Sequence, residues 1–109
     1  MNRVIAISGG VGGAKLAEGL AAVASGRLTI VGNVADDFRH LGLHISPDLD
    51  SVMYALAGLN DTQRGWGVKD ESWQCLRQLG VLGGDDWFQL GDKDLATHIL
   101  RTHLLNEGV

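Results

Sequence analysis

The stretch "RVIAISGGVGGAKLAEGL", Arg3 to Leu20, joins a short apolar segment to a helical one through four glycines. The segments Arg3–Ser8 and Leu28–Val34 are short, rich in β-branched residues and almost continuously apolar, which is typical of strands covered on both faces of a parallel sheet. Between them, Ala14–Ser25 carries apolar residues at helical spacing and is followed by Gly26, a stop signal. This order predicts a right-handed βαβ unit of an open α/β sheet.

The four glycines, Gly9, Gly10, Gly12 and Gly13, suit a loop that binds an anion. Glycines after a buried strand let backbone N–H groups approach a phosphate, and the N-terminus of the next helix adds partial positive charge. The spacing around Lys15 fits neither the Walker A loop nor the dinucleotide fingerprint. A tight turn that needs positive φ angles explains the glycines equally well.

Three further helices are indicated downstream. Ser46 and Pro47 have the residue types of an N-cap and first helical position, and that helix should end near Gly58. The segment Glu71–Leu79 can form a short helix. The clearest helical pattern is "GDKDLATHILRTHLLNEG", from Gly91 to Gly108.

Composition limits the classes of function. A chain of 109 residues with 45% hydrophobic content can form one domain with a core. Its net charge of −4 argues against a general nucleic-acid binder. No apolar run is long enough to span a bilayer, so no membrane association is expected. The single Cys75 cannot form an internal disulfide, which favours the cytoplasm.

Aspartates stand in pairs near the predicted ends of elements: Asp36 with Asp37, Asp48 with Asp50, and Asp92 with Asp94. Mg²⁺ prefers oxygen ligands and often bridges one or two carboxylates to substrate phosphates, so such residues beside a phosphate loop suit phosphoryl chemistry. Carboxylates in the first turn of a helix also act as caps, and that role alone can explain Asp48 and Asp92.

The motifs "SGGVGGAKLAEGL", "VGNVADDFRHLGLHISPDLDSVMYALAGL", "RGWGVKDE" and "WFQLGDKDLATHILRT", taken in order, resemble the 2-phospho-L-lactate transferase family of deazaflavin-coenzyme biosynthesis. The resemblance implies a Rossmann-like α/β enzyme that requires Mg²⁺. It would transfer a phospholactate group, or phosphoenolpyruvate in bacterial relatives, from a guanylyl diphosphate donor to the ribityl hydroxyl of 7,8-didemethyl-8-hydroxy-5-deazariboflavin. GMP is released, and a homodimer is compatible with this resemblance.

The resemblance also assigns site residues. It implies substrate binding by residues of three of these motifs: Gly9, Gly10, Gly12, Gly13, Asn33, Asp37, Asp50, Gln89 and Lys93. Asp48 and Asp50 are the expected metal ligands. Asp50 is also the expected catalytic group, because a carboxylate there can hold the metal or accept the proton of the attacking hydroxyl.

Other polar and aromatic residues have simpler interpretations. His98 is more typical of a core histidine with a hydrogen bond than of a ligand. His40, His44 and His103 lack the spacing of a zinc site. The three tryptophans are expected to pack, although Trp66, between two glycines, can border a flat ring system.

Two other classes of function stay open. A regulatory family of gluconeogenesis factors, which binds nucleotide sugars, shares the glycine loop and a "VADD" segment. That family typically continues with glycine and serine, whereas this chain continues with "FRHLGLHISPDLD". A nicotinamide-dependent oxidoreductase is disfavoured by Asn33, which stands where an acidic ribose anchor is expected.

The transferases that the chain resembles are considerably longer and carry later motifs without a counterpart here. We therefore expect residues 1–109 to be the N-terminal portion of a single Rossmann-like transferase domain. Little or no transferase activity is expected from this portion alone. Apolar faces that the remainder would cover should be exposed.

Overall fold

A computed structural model describes residues 3–24 and 26–109 of the chain. The elements in chain order are β1 (Val4–Ser8), α1 (Gly10–Val23), β2 (Leu28–Gly32), β3 (Phe38–His40), β4 (Leu43–Ile45), α2 (Pro47–Leu56), α3 (Gln74–Val81) and α4 (Asp92–Asn106). In this part of the chain no helix combines the length and apolar character that crossing a membrane requires.

The predicted βαβ unit is present. β1 and β2 pair in parallel, from Val4 opposite Leu28 to Ser8 opposite Gly32. α1 connects them and packs against both strands, so the α/β fold class is confirmed. The prediction that the second strand reaches Val34 is wrong. The side chain of Asn33 accepts a hydrogen bond from the Ala35 N–H at 3.1 Å, which turns the chain away from the sheet.

The glycine-rich segment is helical. α1 begins at Gly10, four residues before the predicted start, and the Gly13 N–H donates to the Gly9 carbonyl at 3.1 Å. Gly9 is extended, with φ of −149°, so a turn with positive φ does not explain it. The glycines allow close packing: a Cβ on Gly13 would lie 2.4 Å from Ser8 Oγ and 3.2 Å from the Ser8 backbone carbon. Ser25, at which the sequence places the helix end, lies outside the described residues.

Gly13→Ala is expected to lower the free energy of unfolding by about 1–3 kcal/mol, because the new methyl group overlaps the β1 backbone. The matched control is Gly19→Ala in the same helix, where a Cβ meets no described atom within 4 Å. It should raise stability by about 0.5–1 kcal/mol through helix propensity. Urea denaturation followed by circular dichroism measures both. Equal effects from the two substitutions would show that close packing does not select Gly13.

A hairpin that the sequence analysis missed follows β2. β3 and β4 pair antiparallel, with Phe38 opposite Ile45, and form a sheet separate from β1 and β2. Leu41 and Gly42 form the two-residue turn with φ of 52° and 77°, the positive values that a type I′ turn requires. The strands are three residues each, too short to show an alternating pattern.

α2 begins with Pro47 and ends at Leu56, close to the prediction. Ser46 holds the N-cap position, but its hydroxyl donates to Asp37 Oδ2 at 3.0 Å. The core lies between α1 and α2. It consists mainly of small side chains, which let the two helices approach closely: Ala14 and Ala17 pack with Val52 and Ala55, and Ile30 lies against them.

α3 and α4 cap each other. Asp92, the first residue of α4, accepts hydrogen bonds from the Gln74 and Cys75 N–H groups at the start of α3. Glu71 accepts from the Lys93 and Asp94 N–H groups at the start of α4. The predicted third helix therefore begins at Gln74 rather than at Glu71, because the side chain of Glu71 caps α4. Asp92 is a capping carboxylate, as expected, but the helix that it caps is α3 rather than its own helix α4.

The pKa of Asp92 is lowered from 3.8, first by the hydrogen bond from the Cys75 backbone and then by the Ser72 hydroxyl. A lowered pKa in the folded state gives stability that is present above 3.8 and lost as pH falls through the lowered value. Asp92→Asn should thus lower the urea midpoint near neutral pH, and the difference from wild type should shrink below pH 3.8. Asp85→Asn, at an exposed position, is the control. A difference that is constant with pH would contradict the capping role of the charge.

One face of the β1–β2 sheet is uncovered. Ile5 and Ile7 are 71% and 83% exposed, and Val31, paired with Ile7, lies on the same side. The expectation of exposed apolar surface is confirmed.

This face should bind the apolar dye ANS in the folded chain. Ile7→Thr is expected to reduce the dye fluorescence with little change in stability, because the side chain is exposed and threonine suits a strand. Ala22→Ser, on the exposed side of α1, is the control. Unchanged dye binding in Ile7→Thr would place the apolar site elsewhere.

Candidate active site

A pocket of about 660 Å³ lies beside α2, between the segment around residues 60–73 and the segment that leads into α4. One wall is aromatic, and the other is polar. The aromatic residues are Trp66, Trp73, Trp87 and Phe88, and the polar wall includes Asp50, Asp94 and His98. Further ionisable residues, among them Lys15, Glu18 and Glu71, also line the pocket, so it combines apolar area with charged groups.

Arg64 organises part of the aromatic wall. Its guanidinium carbon lies 4.3 Å from the ring centroid of Trp66 and 5.3 Å from that of Trp73. The same guanidinium donates to the carbonyls of Trp66 and Val68. Trp66 and Trp73 also meet edge to face, at 6.1 Å between centroids. Trp66 and Trp73 thus pack against each other and Arg64, as expected, whereas Trp87 is 66% exposed; Trp66 also keeps enough exposure to border the pocket.

The polar wall is built by two helices. Asp50 and Tyr54 lie one turn apart on α2, and Asp94, His98 and Arg101 lie on successive turns of α4. We call these five residues the polar seam. The Tyr54 hydroxyl donates to Asp94 Oδ1, and His98 Nε2 lies 2.9 Å from Asp94 Oδ2.

Hydrogen bonding determines the tautomer of His98. Arg101 Nη1 lies 3.2 Å from His98 Nδ1, and a guanidinium can only donate, so Nδ1 accepts. The ring proton is therefore on Nε2, which donates to Asp94. His98 is 2% exposed, and the expectation of a hydrogen-bonded core histidine is confirmed.

Asp50 lies at the end of this series of contacts. Its Oδ1 accepts a hydrogen bond from Arg101 Nη2, while Arg101 Nη1 donates to the His44 carbonyl at 3.2 Å. Its Oδ2 is buried, lies 3.7 Å from His98 Nδ1 and has no hydrogen-bond partner among residues 3–24 and 26–109. A buried carboxylate oxygen without a partner is costly unless a ligand completes it.

The pKa values of the two carboxyl groups of the polar seam are shifted in opposite directions. Burial raises the pKa of Asp50, and the nearby Arg101 offsets only part of that effect. Burial also raises the pKa of Asp94, but hydrogen bonds from His98 and Tyr54 outweigh it and hold that pKa below its ordinary value. Burial raises the pKa of the Tyr54 phenol, and Asp94 adds to the rise. Asp50 is therefore the better proton acceptor of the two carboxylates.

A metal ion would find one available ligand atom in the polar seam. Asp50, Asp94 and His98 each offer an atom within 4.8 Å of one another, the one such group found in the described part of the chain. Both oxygens of Asp94 and both nitrogens of His98 are already engaged in hydrogen bonds. Oδ2 of Asp50 is free of them, and a carboxylate oxygen suits Mg²⁺.

Several predicted site residues form a second group at the carboxyl ends of β1 and β2. Asn33 Nδ2 donates to Asp48 Oδ2 at 2.9 Å, and a Cβ on Gly9 would touch both residues. Asp37 lies nearby along the chain and accepts from Ser46, and its Oδ1 is buried without a partner among the described residues. Asp48 and Asp50 thus have different neighbours, as residues two apart on a helix do.

The last two predicted residues differ in placement. Gln89 lines the pocket, as expected for a substrate contact. Lys93 instead donates from Nζ to the Lys69 carbonyl at 3.3 Å. Gly10, Gly12 and Gly13 lie in the first turn of α1, beside the residues Ala14 and Lys15 that reach the pocket.

A family model described as 2-phospho-L-lactate transferase CofD matches residues 4–108. The chain belongs to this family. The match selects the transferase family from the three classes that the sequence leaves open.

Curated relatives carry a related name. A phosphoenolpyruvate transferase of Streptomyces griseus is 44% identical over 108 residues, and one of Mycobacterium tuberculosis is 42% identical over 121 residues. Each alignment covers 97% of this chain but 34% and 37% of the respective relative. The chain therefore spans about a third of the length of these CofD-family proteins.

Two residues of the polar seam, Tyr54 and Arg101, escaped the sequence analysis, and Asp94 was noted there only as one of the paired aspartates. The available signal was spacing. Tyr54 follows Asp50 by four residues, and His98 follows Asp94 by four, so each pair shares a helix face. Helical spacing shows which residues share one face of a helix, but not which other helix that face contacts. These CofD-family residues were therefore identified only from the fold.

Proposed function

We propose that this CofD-family chain supplies the acceptor-binding wall of a transferase. The reaction moves a 2-phospholactate or phosphoenolpyruvate group from a guanylyl diphosphate donor to the ribityl hydroxyl of 7,8-didemethyl-8-hydroxy-5-deazariboflavin. The family match and the names of the relatives support the class of reaction. Donor, acceptor and GMP release are part of the proposal.

The observation that carries the proposal is the buried Oδ2 of Asp50, which has no hydrogen-bond partner among the described residues and belongs to a residue that lines the pocket. A ribityl hydroxyl supplies the missing donor. As the hydroxyl oxygen bonds to the phosphorus that carries the three-carbon group, Asp50 accepts its proton, a role that the raised pKa favours. The bond from that phosphorus to the bridging oxygen breaks, and GMP leaves with the electron pair.

The aromatic wall suits the deazaflavin ring. Trp66, Trp87 and Phe88 line the same pocket as Asp50, so a flat tricyclic ring among them would direct its ribityl chain towards the carboxylate. Gln89 provides an amide at the same wall. These contacts fix the position of the hydroxyl, which is the main contribution of a protein to phosphoryl transfer.

Mg²⁺ is the alternative partner that we propose for the Oδ2 of Asp50, and with the ion bound there Asp50 would act as a metal ligand rather than as the proton acceptor. Asp48, also in the first turn of α2, is proposed as a second carboxylate for the ion, although in the free chain its side chain meets Asn33 rather than Asp50. When bound, Mg²⁺ neutralises charge on the donor diphosphate. Asp48 also keeps Asn33 in place through its hydrogen bond.

The second group of residues suits the donor side. The first turn of α1, from Gly10, presents backbone N–H groups and the positive end of the helix dipole next to Gly9, and Asn33 and Asp48 lie beside Gly9. We propose that this turn binds a phosphate. A cytoplasmic location and a homodimer complete the proposal.

Asp50→Asn is expected to weaken binding of the deazaflavin acceptor to the chain by about 10- to 100-fold, because a hydrogen bond to a buried charge is lost. Quenching of tryptophan fluorescence measures the dissociation constant. Glu107→Gln, which removes one exposed charge near the far end of α4, is the control and should leave binding unchanged.

Two results would contradict the proposal. One is failure of the wild-type chain to bind the acceptor while it binds a nucleotide sugar or a nicotinamide cofactor. The other is equal affinity of Asp50→Asn and wild type for the acceptor.

A further inference from the structure

Arg101 makes three contacts from one guanidinium. Nη2 donates to Asp50 Oδ1, Nη1 donates to the His44 carbonyl at 3.2 Å, and Nη1 also lies 3.2 Å from His98 Nδ1. The first contact is to α2, the second to β4 and the third within α4. Nη1 thus anchors the guanidinium to the His44 carbonyl and the His98 ring, and Nη2 holds Asp50.

This arrangement determines which oxygen of Asp50 meets a ligand. With Oδ1 engaged by Arg101, Oδ2 is the oxygen left for the pocket. Asp50 is among the residues that line the pocket, whereas Arg101 is not among the described residues that do. Arg101 therefore reaches a bound molecule through the two lining residues that it contacts, Asp50 and His98, and only its contact with Asp50 is to a carboxylate.

We infer that Arg101 is the positioning residue for Asp50. It holds the carboxylate in one rotamer that leaves Oδ2 without a partner among the described residues, and it does so through the two-pronged geometry of its guanidinium. This inference deepens the proposed function and rests on it for its consequence in catalysis, but the geometric claim concerns the free protein.

The other members of the polar seam keep Arg101 in place. Asp94 accepts the Nε2 proton of His98, which leaves Nδ1 as the acceptor for Arg101. The Tyr54 hydroxyl holds the other oxygen of Asp94. A series of hydrogen bonds therefore runs from Tyr54 to Asp50 and returns to the helix on which it began.

The geometric claim is tested by NMR on the free chain. Three-bond couplings from the Asp50 Hα to its two Hβ protons should show one rotamer in wild type and rotamer averaging in Arg101→Met. Arg101→Lys should also show averaging, because a single ammonium cannot hold both Asp50 and the His44 carbonyl in the way the fork does. Arg39→Met, at an exposed position on β3, is the matched control and should keep the single rotamer.

Retention of the single rotamer in both Arg101 variants would overturn the inference. Should Arg101→Met not fold, as judged by its circular dichroism spectrum, Arg101→Lys decides alone: averaging supports the inference, and a wild-type coupling pattern overturns it.

A double-mutant cycle tests the consequence for binding. Arg101→Met, or Arg101→Lys in its place, should weaken acceptor binding roughly tenfold in the wild-type background and not at all in Asp50→Asn. An equal loss in both backgrounds would show that Arg101 acts independently of Asp50, against the inference. If the wild-type chain binds no acceptor, the proposed function fails, and the couplings still decide the role of Arg101.

Discussion

The contact between Arg101 and Asp50 joins the two parts of this chain. Asp50 lies in the first turn of α2 and is 5% exposed, so its charge is removed from water. A buried carboxylate is tolerated when it is paired, and Arg101 provides that pair from a helix that begins more than 40 residues later. Through this contact, α4 is fastened to α2, which in turn packs against α1 of the βαβ unit.

The location of the pocket follows from this contact. The chain between α2 and α4 must bridge the distance from Leu56 to Asp92, and it carries the tryptophans of the aromatic wall. Two caps fix the end of this connecting segment. Glu71 accepts a hydrogen bond from the Lys93 N–H at the start of α4, and Asp92 accepts one from the Cys75 N–H at the start of α3. The aromatic residues and Asp50 thereby line the same pocket.

The chemistry of the site depends on the same pairing. Arg101 takes one oxygen of Asp50, and burial raises the pKa of the group despite the nearby cation. A carboxylate in this state has one oxygen available and is a stronger base than an exposed aspartate. Asp94 differs because it receives two side-chain hydrogen bonds, which suits a structural role within the polar seam.

Local patterns in the sequence predicted the βαβ unit, α2 and α4, because apolar periodicity and stop signals act within a few residues of each other. They failed where a distant partner decides the outcome. The start of α1 depends on how closely Gly13 packs on Ser8, and the start of α3 depends on Glu71 capping α4. In the site, the motif resemblance singled out Asp50, but its partner Arg101 is separated from it by 51 positions. The β3–β4 hairpin was missed because its strands are too short for a pattern.

The central claim is that the aromatic wall and Asp50 form one site for one acceptor molecule. The crystal structure of the chain with the deazaflavin acceptor tests this most directly. We predict that the ring lies among Trp66, Trp87 and Phe88 and that a ribityl hydroxyl lies within hydrogen-bond distance of Asp50 Oδ2. An acceptor bound at the glycine turn of α1, or one whose ribityl chain points away from Asp50, would contradict the account.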